Sequence, residues 1–368
     1  MNETAFRILD ALSRNLGSPI SINELTGRIK ELHGTAYYKN IYGKIQDLKK
    51  QNILTITEIG KSSIIKLNFN NYLLTDILAE MELKRKQNFL EKKTELQMLL
   101  LGMETYFSQG FYLIESISLA DPERNMKLNR AEFLFLLAEP LQWVKNGKPE
   151  PEEKGIVMLQ SEMWGIHSIM QTLQKMHSIK TDYLILRENE FLELLKSEES
   201  NPLKEMLSNK IAFHSPQSFW IEIKTALTKG IQIKLEKEEA NPAKISEQDL
   251  IYNLSRLGYK EMGPKISQGR DICLESIITS LLLKNDARRI EAIPAILAKN
   301  KANYNLLIFL CQKYNQLEKL LGLLQVLNKI KGSEEIENAI RILKERKLIE
   351  KKYDEKSIKQ KMRLYSAI

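Results

Sequence analysis

Residues 36–68 read AYYKNIYGKIQDLKKQNILTITEIGKSSIIKLN, and the first half of this stretch has a helical period. Ile41, Ile45 and Leu48 follow one another at the i, i+4, i+7 spacing that places side chains on one face of a helix. We therefore predict a helix over residues 36–51, with these three side chains turned towards a core.

The second half of the same stretch changes to the alternating period of β-strands. Residues 53–59 and 64–68 alternate apolar and polar positions, and Gly-Lys-Ser-Ser at 60–63 joins them. This arrangement predicts a hairpin with Lys61 at its tip.

Two more helices are predicted upstream of residue 36. Phe6, Leu9 and Leu12 give the first helix an apolar face, and Ser21 with Glu24 forms the signature of a capping box at the start of the second. Three helices followed by a two-stranded hairpin are the element order of a winged helix-turn-helix domain, which we assign to residues 1–70.

The face of the third predicted helix that points away from its core residues is aromatic and basic. In a helix-turn-helix protein this face enters the major groove, where asparagine can pair with adenine and lysine with guanine or phosphate. Tyrosine hydroxyls commonly bond phosphate oxygens. The candidate nucleic-acid-binding residues are Tyr37, Lys39, Asn40, Lys44, Lys49 and Lys61. The alternative is a winged helix that contacts proteins and whose charges only solvate its surface.

Composition narrows the class of protein. The 368 residues contain 55 Lys and Arg against 47 Asp and Glu, a net charge of +8, which favours a polyanionic partner, although the lysine-rich surface of a thermophilic protein would look similar. Cys273 and Cys311 are too few and too far apart for a disulfide framework or a cysteine-rich zinc site. No apolar run approaches the roughly 20 residues of a membrane helix. We therefore expect a cytoplasmic protein without membrane contact.

The rest of the chain divides into three predicted parts. Residues 71–108 are helical almost throughout and predict a connecting helix, broken near Lys84. Residues 109–235 alternate strands with helices, the pattern of an α/β domain. Residues 245–368 predict an all-helical domain, which ends in a basic tail. The predicted fold class is thus multidomain and mostly α, with an α/β middle.

Three places in the middle part carry a familiar spacing: Ser118-Leu119, the run Asn129-Arg130-Ala131-Glu132 with a strand at residues 133–137 behind it, and Asp182 at the start of a later strand. Together with the upstream winged helix, they resemble archaeal proteins that join a winged helix to a minimal nucleotidyltransferase-like domain. In an active member of that family, a Gly-Ser pair cradles the triphosphate, and an Asp-x-Asp with a third aspartate holds two Mg²⁺ ions.

Compared with that pattern, this sequence is degenerate. Ser118-Leu119 lacks the glycine that lets backbone approach phosphate, and Arg130 with Glu132 replaces the aspartate pair. Glu132 and Asp182 are then remnants of the metal positions, and two remnants do not supply the carboxylates that two Mg²⁺ ions need. The resemblance therefore implies a catalytically silent domain, with no catalytic residue, metal or cofactor. An active Mg²⁺-dependent nucleotidyltransferase that uses Glu132 and Asp182 is the alternative.

These patterns lead to one functional expectation and a rival. We expect a nucleic-acid-binding protein, namely a DNA-binding transcriptional regulator that acts as a homodimer, because winged helices gain affinity by engaging two half-sites. The rival is a factor that binds RNA or the ribosome, since phosphate contacts do not distinguish the two sugars.

Overall fold

The structure is a computed structural model of the 368-residue chain. It describes residues 1–60, 62–93, 95–122, 129–139, 144–145, 148–149, 152–235, 241–259, 266–346 and 348–368. Lys61, predicted at the hairpin tip, lies outside the described residues. The chain is mixed α/β and separates into two compact units. The first contains residues 1–181, 186–196 and 203–237, and the second contains residues 182–185, 197–202 and 238–368.

The first unit begins with three helices and a small antiparallel sheet. The helices are α1 (Glu3–Ser13), α2 (Ile22–His33) and α3 (Tyr38–Lys50). The strands are β1 (Ile20–Ser21), β2 (Leu54–Ile59) and β3 (Ser62–Leu67), in the order β1-β3-β2. Both strands of the predicted hairpin are present within two residues of their expected bounds. The short strand β1 was not predicted.

The caps of these helices follow the sequence in one case and depart from it in another. The Ser21 side chain accepts a hydrogen bond from the Glu24 amide, as the capping box predicts. The third helix was expected to start at residue 36, but its N-cap is Tyr37, whose side chain makes no capping bond. Tyr37 therefore precedes the helix rather than lying within it.

The helical segment that follows is broken later than predicted. Helix α4 (Leu74–Lys92) runs without interruption through Lys84, and α5 (Glu95–Gly110) begins after Lys93. The charged middle of α4 was expected to be the weak point. Instead, its Glu82 and Arg85 side chains are buried and hydrogen-bonded within the unit, which stabilises the helix there.

A four-stranded sheet forms the middle of the chain. Its strands are β4 (Ile114–Ala120), β5 (Arg130–Leu137), β8 (Lys180–Arg187) and β9 (Lys210–His214), in the order β8-β5-β4-β9. Strand β4 pairs antiparallel with both β5 and β9. Two short strands, β6 (Val144–Lys145) and β7 (Lys148–Pro149), pair with each other.

Four helices belong to the same part of the sequence. They are α6 (Glu152–His177), α7 (Glu188–Lys196), α8 (Pro202–Ser208) and α9 (Pro216–Thr228). Glu162 on α6 accepts hydrogen bonds from the Tyr112 and Leu113 amides, 2.8 and 2.9 Å away, and so fixes the chain just before β4.

From residue 242 onwards the second unit is built from helices, which follow a 3₁₀ turn (Pro242–Lys244). They are α10 (Glu247–Arg256), α11 (Leu274–Lys284), α12 (Ala287–Ile290), α13 (Ile293–Lys299), α14 (Tyr304–Lys313), α15 (Leu317–Lys331), α16 (Glu334–Glu345) and α17 (Glu355–Leu364). Asn315, whose φ of +58° ends α14, separates this helix from α15. In the described part of the chain, no helix has the length and apolar character required to cross a bilayer.

Candidate nucleic-acid interface

Helix α3 is held by one face and exposes the other. Ile41, Ile45 and Leu48 are 3%, 0% and 3% exposed, as their spacing predicts. They pack α3 against α1 and α2. The remaining positions of the helix are therefore presented outwards.

The outward face contains most of the residues predicted to bind nucleic acid. Tyr37, Lys39, Asn40 and Lys49 are exposed. Lys44 differs from the expectation, because its side chain is only 21% exposed and its ammonium lies 4.0 Å from the Asp47 carboxylate. Lys44 thus belongs to the edge of this face. We call Tyr37, Tyr38, Lys39, Asn40, Tyr42 and Lys49 the α3 face.

Two members of the α3 face were missed from the sequence. Tyr38 and Tyr42 are 48% and 44% exposed, and their rings stack 6.0 Å apart at an interplanar angle of 21°. Their i, i+4 spacing outside the Ile41, Ile45, Leu48 series was the signal that could have found them. Tyr37, at the N-cap, is 71% exposed, so three tyrosine side chains are accessible at this end of α3.

Gly43 lies inside α3 at a position where no packing contact requires a glycine. A side-chain carbon added at Gly43 would meet no atom within 4 Å. Glycine in a helix interior costs about 1 kcal/mol relative to alanine. The fold would therefore be more stable with alanine at this exposed position, and the glycine keeps the surface of α3 flat between Asn40 and Asp47.

A buried ionic cluster fixes the helices against which α3 packs. Asp10 on α1 is 1% exposed, and its carboxylate accepts hydrogen bonds from Arg85 of α4 and from Arg14. His33, the last residue of α2, places Nε2 2.9 Å from Asp10 Oδ2. Burial would raise the pKa of Asp10, but Arg85, His33 and Arg14 more than offset this and hold the pKa well below its usual range. Asp10 is therefore charged at neutral pH.

The same cluster continues to the edge of the four-stranded sheet. Arg85 also donates to the Lys210 carbonyl on β9, at 3.2 Å. The Lys210 ammonium lies 4.2 and 4.4 Å from the ring centroids of Phe219 and Trp220. Burial lowers the pKa of Lys210 to about 8, with Glu82 partly offsetting the effect. Residues of α1, α2, α4 and β9 are thus joined in one network.

Glu132 and Asp182, which the sequence analysis interpreted as remnants of a metal site, have different surroundings. Glu132 on β5 is 5% exposed, and its Oε1 lies 3.7 Å from Arg130 Nε, so a cation occupies the neighbourhood of this carboxylate. Asp182 on β8 is fully buried. Ser118 on β4 pairs with Leu134 and Ala212 in the sheet register, and its hydroxyl has no hydrogen-bond partner among the described residues. Among the residues that the structure describes, no group of three or more His, Cys, Asp or Glu side chains has the arrangement of a metal site.

Comparisons with protein-family models, with curated proteins and with solved structures find no match to this chain.

Proposed function

We propose that this protein binds duplex DNA through the α3 face, with residues 1–70 acting as a winged helix-turn-helix domain. The observation that carries the proposal is the contrast between the two sides of α3. One side is fixed by Ile41, Ile45 and Leu48, whereas the remaining surface exposes Tyr38 and Tyr42 near Lys49, and Lys39 and Asn40 further round the helix. A surface that needed only solvation would not expose a stacked pair of aromatic rings.

The chemistry of the α3 face suits the major groove. Asn40 offers the paired donor and acceptor that fit adenine, and Lys39 and Lys49 offer cations for guanine or phosphate. The tyrosine hydroxyls supply donors for phosphate oxygens. Gly43 lies between these groups on an open part of the helix, where the absence of a side chain allows a nucleic-acid backbone or base edge to approach closely.

The biological role that fits this mode of binding is transcriptional regulation by a homodimer. A single winged helix reads a short site, and two copies related by a two-fold axis read two half-sites about one helical turn apart. Dimerisation is thus part of the proposal, and it predicts protected DNA sites with two-fold symmetry.

RNA is the second candidate, and the stacked tyrosines favour it. The rings of Tyr38 and Tyr42 lie 21° from parallel and are partly accessible, and accessible aromatic rings bind unpaired bases by stacking. In this case the target would be a loop or single-stranded segment of an RNA, including ribosomal RNA.

For the middle of the chain we propose a nucleotidyltransferase-like domain that has lost its activity. The ion pair between Arg130 and Glu132 supports this, because a guanidinium near the carboxylate opposes the binding of Mg²⁺. The test is incubation with Mg²⁺ or Mn²⁺ and each labelled nucleotide. Incorporation that Asp182→Ala abolishes would show instead that the domain is an active enzyme.

The experiment that tests the main proposal is to isolate the protein from its own cells and sequence the nucleic acid that accompanies it. Samples are treated with DNase or RNase before isolation. We expect defined genomic fragments that DNase removes. Ribosomal or other RNA that only RNase removes would show that RNA, not duplex DNA, is the target. The absence of any enriched nucleic acid would contradict both the DNA and the RNA proposals.

A further inference from the structure

The C-terminal helix α17 has four basic residues with two different kinds of surroundings. Lys361 faces the second unit, where its ammonium lies 2.7 Å from the Glu291 carboxylate and also donates to the Arg288 carbonyl at 2.8 Å. Ser357 donates to the same Glu291 carboxylate. The charge of Lys361 is thus used within the fold.

The other three basic residues point outwards in one row. Lys356, Lys359 and Arg363 are exposed, and their i, i+3, i+7 spacing places them on one face of α17. None of the three makes an ion pair with another residue that the structure describes. The acidic side chain next to them, Glu355, lies 3.6 Å from Lys329. We call Lys356, Lys359 and Arg363 the α17 stripe.

The helix that carries the α17 stripe is firmly attached to its unit. Ile358 and Met362 are both fully buried. Beyond the helix, Lys299 and Lys331 donate to the Tyr365 and Ala367 carbonyls. The cations of the stripe are therefore displayed at fixed spacing, which lowers the entropic cost of binding a partner with matching charges.

The segment before the helix is attached just as closely. The Lys351 carbonyl approaches Gly322 of α15 so closely that a side-chain carbon there would come within 1.9 Å of the carbonyl oxygen. This contact requires glycine at position 322, so the residues that lead into α17 pack directly on the helical core.

We propose that the α17 stripe is a second nucleic-acid contact, which binds the phosphate backbone without reading sequence. Lys356 and Arg363 are separated by about 10 Å along the helix axis, a length over which one strand of a duplex carries about three phosphates. The proposal shares its ligand class with the function proposed above, but none of its residues.

A lipid surface fits the stripe less well. A helix that lies on a membrane needs an apolar face turned towards the lipid. In α17 the apolar residues Ile358 and Met362 face inwards, and the outward side has one large apolar residue, Leu364 at its end. A charged polymer in water is therefore the better partner.

The test measures binding of the full chain to mixed-sequence duplex DNA and to single-stranded RNA over a range of salt concentrations. The test variant is Lys356→Ala, Lys359→Ala, Arg363→Ala. The matched control is Lys92→Ala, Lys196→Ala, Lys244→Ala, which removes three exposed cations from other elements. A third variant, Lys356→Arg with Lys359→Arg, keeps the charge. Thermal unfolding of each variant confirms that it is folded.

We expect the stripe variant to bind more weakly by about tenfold or more at low salt, with a log–log salt slope reduced by about 1 to 3. The control and the arginine variant should bind like the parent. Parent-like affinity and slope in the stripe variant would overturn the proposal. So would a stripe-dependent affinity for anionic phosphatidylserine vesicles with unchanged nucleic-acid binding.

The same measurements on a variant with alanine at Lys39, Asn40 and Lys49 of the α3 face separate the α17 proposal from the α3 proposal. Loss of binding in the stripe variant alone would support the α17 contact and show that the α3 face does not bind nucleic acid. Loss of binding in the α3 variant alone would do the reverse.

Discussion

Lys210 on β9 donates a hydrogen bond of 2.7 Å to Glu82 on α4, although 128 residues separate them in the chain. The two side chains are 2% and 0% exposed. The other Glu82 oxygen accepts the Ala212 amide at 3.1 Å, and Arg85 donates to the first at 3.1 Å. One carboxylate thus satisfies three donors and ties α4 to the edge of the four-stranded sheet.

Removing this carboxylate should strongly destabilise the first unit. Glu82→Ala leaves Lys210 without its carboxylate and the Ala212 amide without an acceptor, in a place that water does not reach. Breaking a buried ion pair from one side costs about 3–5 kcal/mol. Urea unfolding should detect this loss. Glu3→Gln, which removes only the exposed contacts to Arg7 and Lys84, should cost less than about 1 kcal/mol. Equal stability of the two variants would show that the cluster is not a stabilising element.

The sequence predicts the local elements near α3 because their periods are complete. Ile41, Ile45 and Leu48 define a helical face, and the alternation on either side of Gly60 defines the hairpin. Strand β1 escapes such prediction, because two residues, Ile20 and Ser21, carry no period and become a strand only by pairing with Ile65 and Ile64.

Long-range electrostatics explain why α4 is not broken near Lys84. The run of charges in α4 predicts a solvated and fragile segment near Lys84. In the fold, Arg85 meets Asp10, and Glu82 meets Lys210. No local pattern links these residues, so their burial follows only from the tertiary structure. The outward face of α3 was largely predictable, since it is the complement of a recognisable apolar face, but Tyr38 and Tyr42 lie beside that face and were overlooked.

A second cluster, formed by the carboxyl groups of Glu222, Glu115 and Glu188, should make the stability of the protein depend on pH. Burial, together with Glu115 and Glu188, raises the pKa of Glu222 on α9 from 4.5 to about 7. The folded protein then binds more protons than the unfolded chain between these two pH values, so its stability should fall as pH rises through this window.

Glu222→Gln tests this dependence. The variant should exceed the parent in stability by about 1–3 kcal/mol at pH 8, and the difference should vanish near pH 4. Chemical unfolding at both pH values measures it. Glu198→Gln, the same change at an exposed residue of the 197–202 segment, provides the control for the substitution itself. A difference between Glu222→Gln and the parent that does not change with pH would contradict the assignment of this carboxyl.

Gly43 separates stability from binding. Because a side-chain carbon there meets nothing, Gly43→Ala should raise the free energy of unfolding by about 0.5–1 kcal/mol while weakening nucleic-acid binding. Gly27 in α2 is equally open and exposed, which makes Gly27→Ala the matched control. It should give a similar stabilisation with unchanged binding. If Gly43→Ala keeps full affinity, the nucleic acid does not approach the helix closely at this position.

The tyrosines distinguish the two candidate targets. If their hydroxyls bond the phosphates of duplex DNA, Tyr38→Phe with Tyr42→Phe should reduce affinity nearly as much as the corresponding alanine variant. If the rings stack on unpaired bases, the phenylalanine variant should keep its affinity, and alanine should cost about 1–3 kcal/mol per base. We expect the first pattern with duplex DNA. Retention of affinity for single-stranded RNA by the phenylalanine variant would favour the second candidate.

Whether the α3 face binds DNA is decided by the affinity of the variant Lys39→Ala, Asn40→Ala, Lys49→Ala for fragmented genomic duplex DNA. These three side chains are exposed, so the variant should unfold at the same temperature as the parent. We expect a loss of affinity of about 30-fold or more, and parent-like binding by the control Lys92→Ala with Lys196→Ala. A folded α3 variant that binds this DNA as tightly as the parent would show that the α3 face is not the DNA-binding surface.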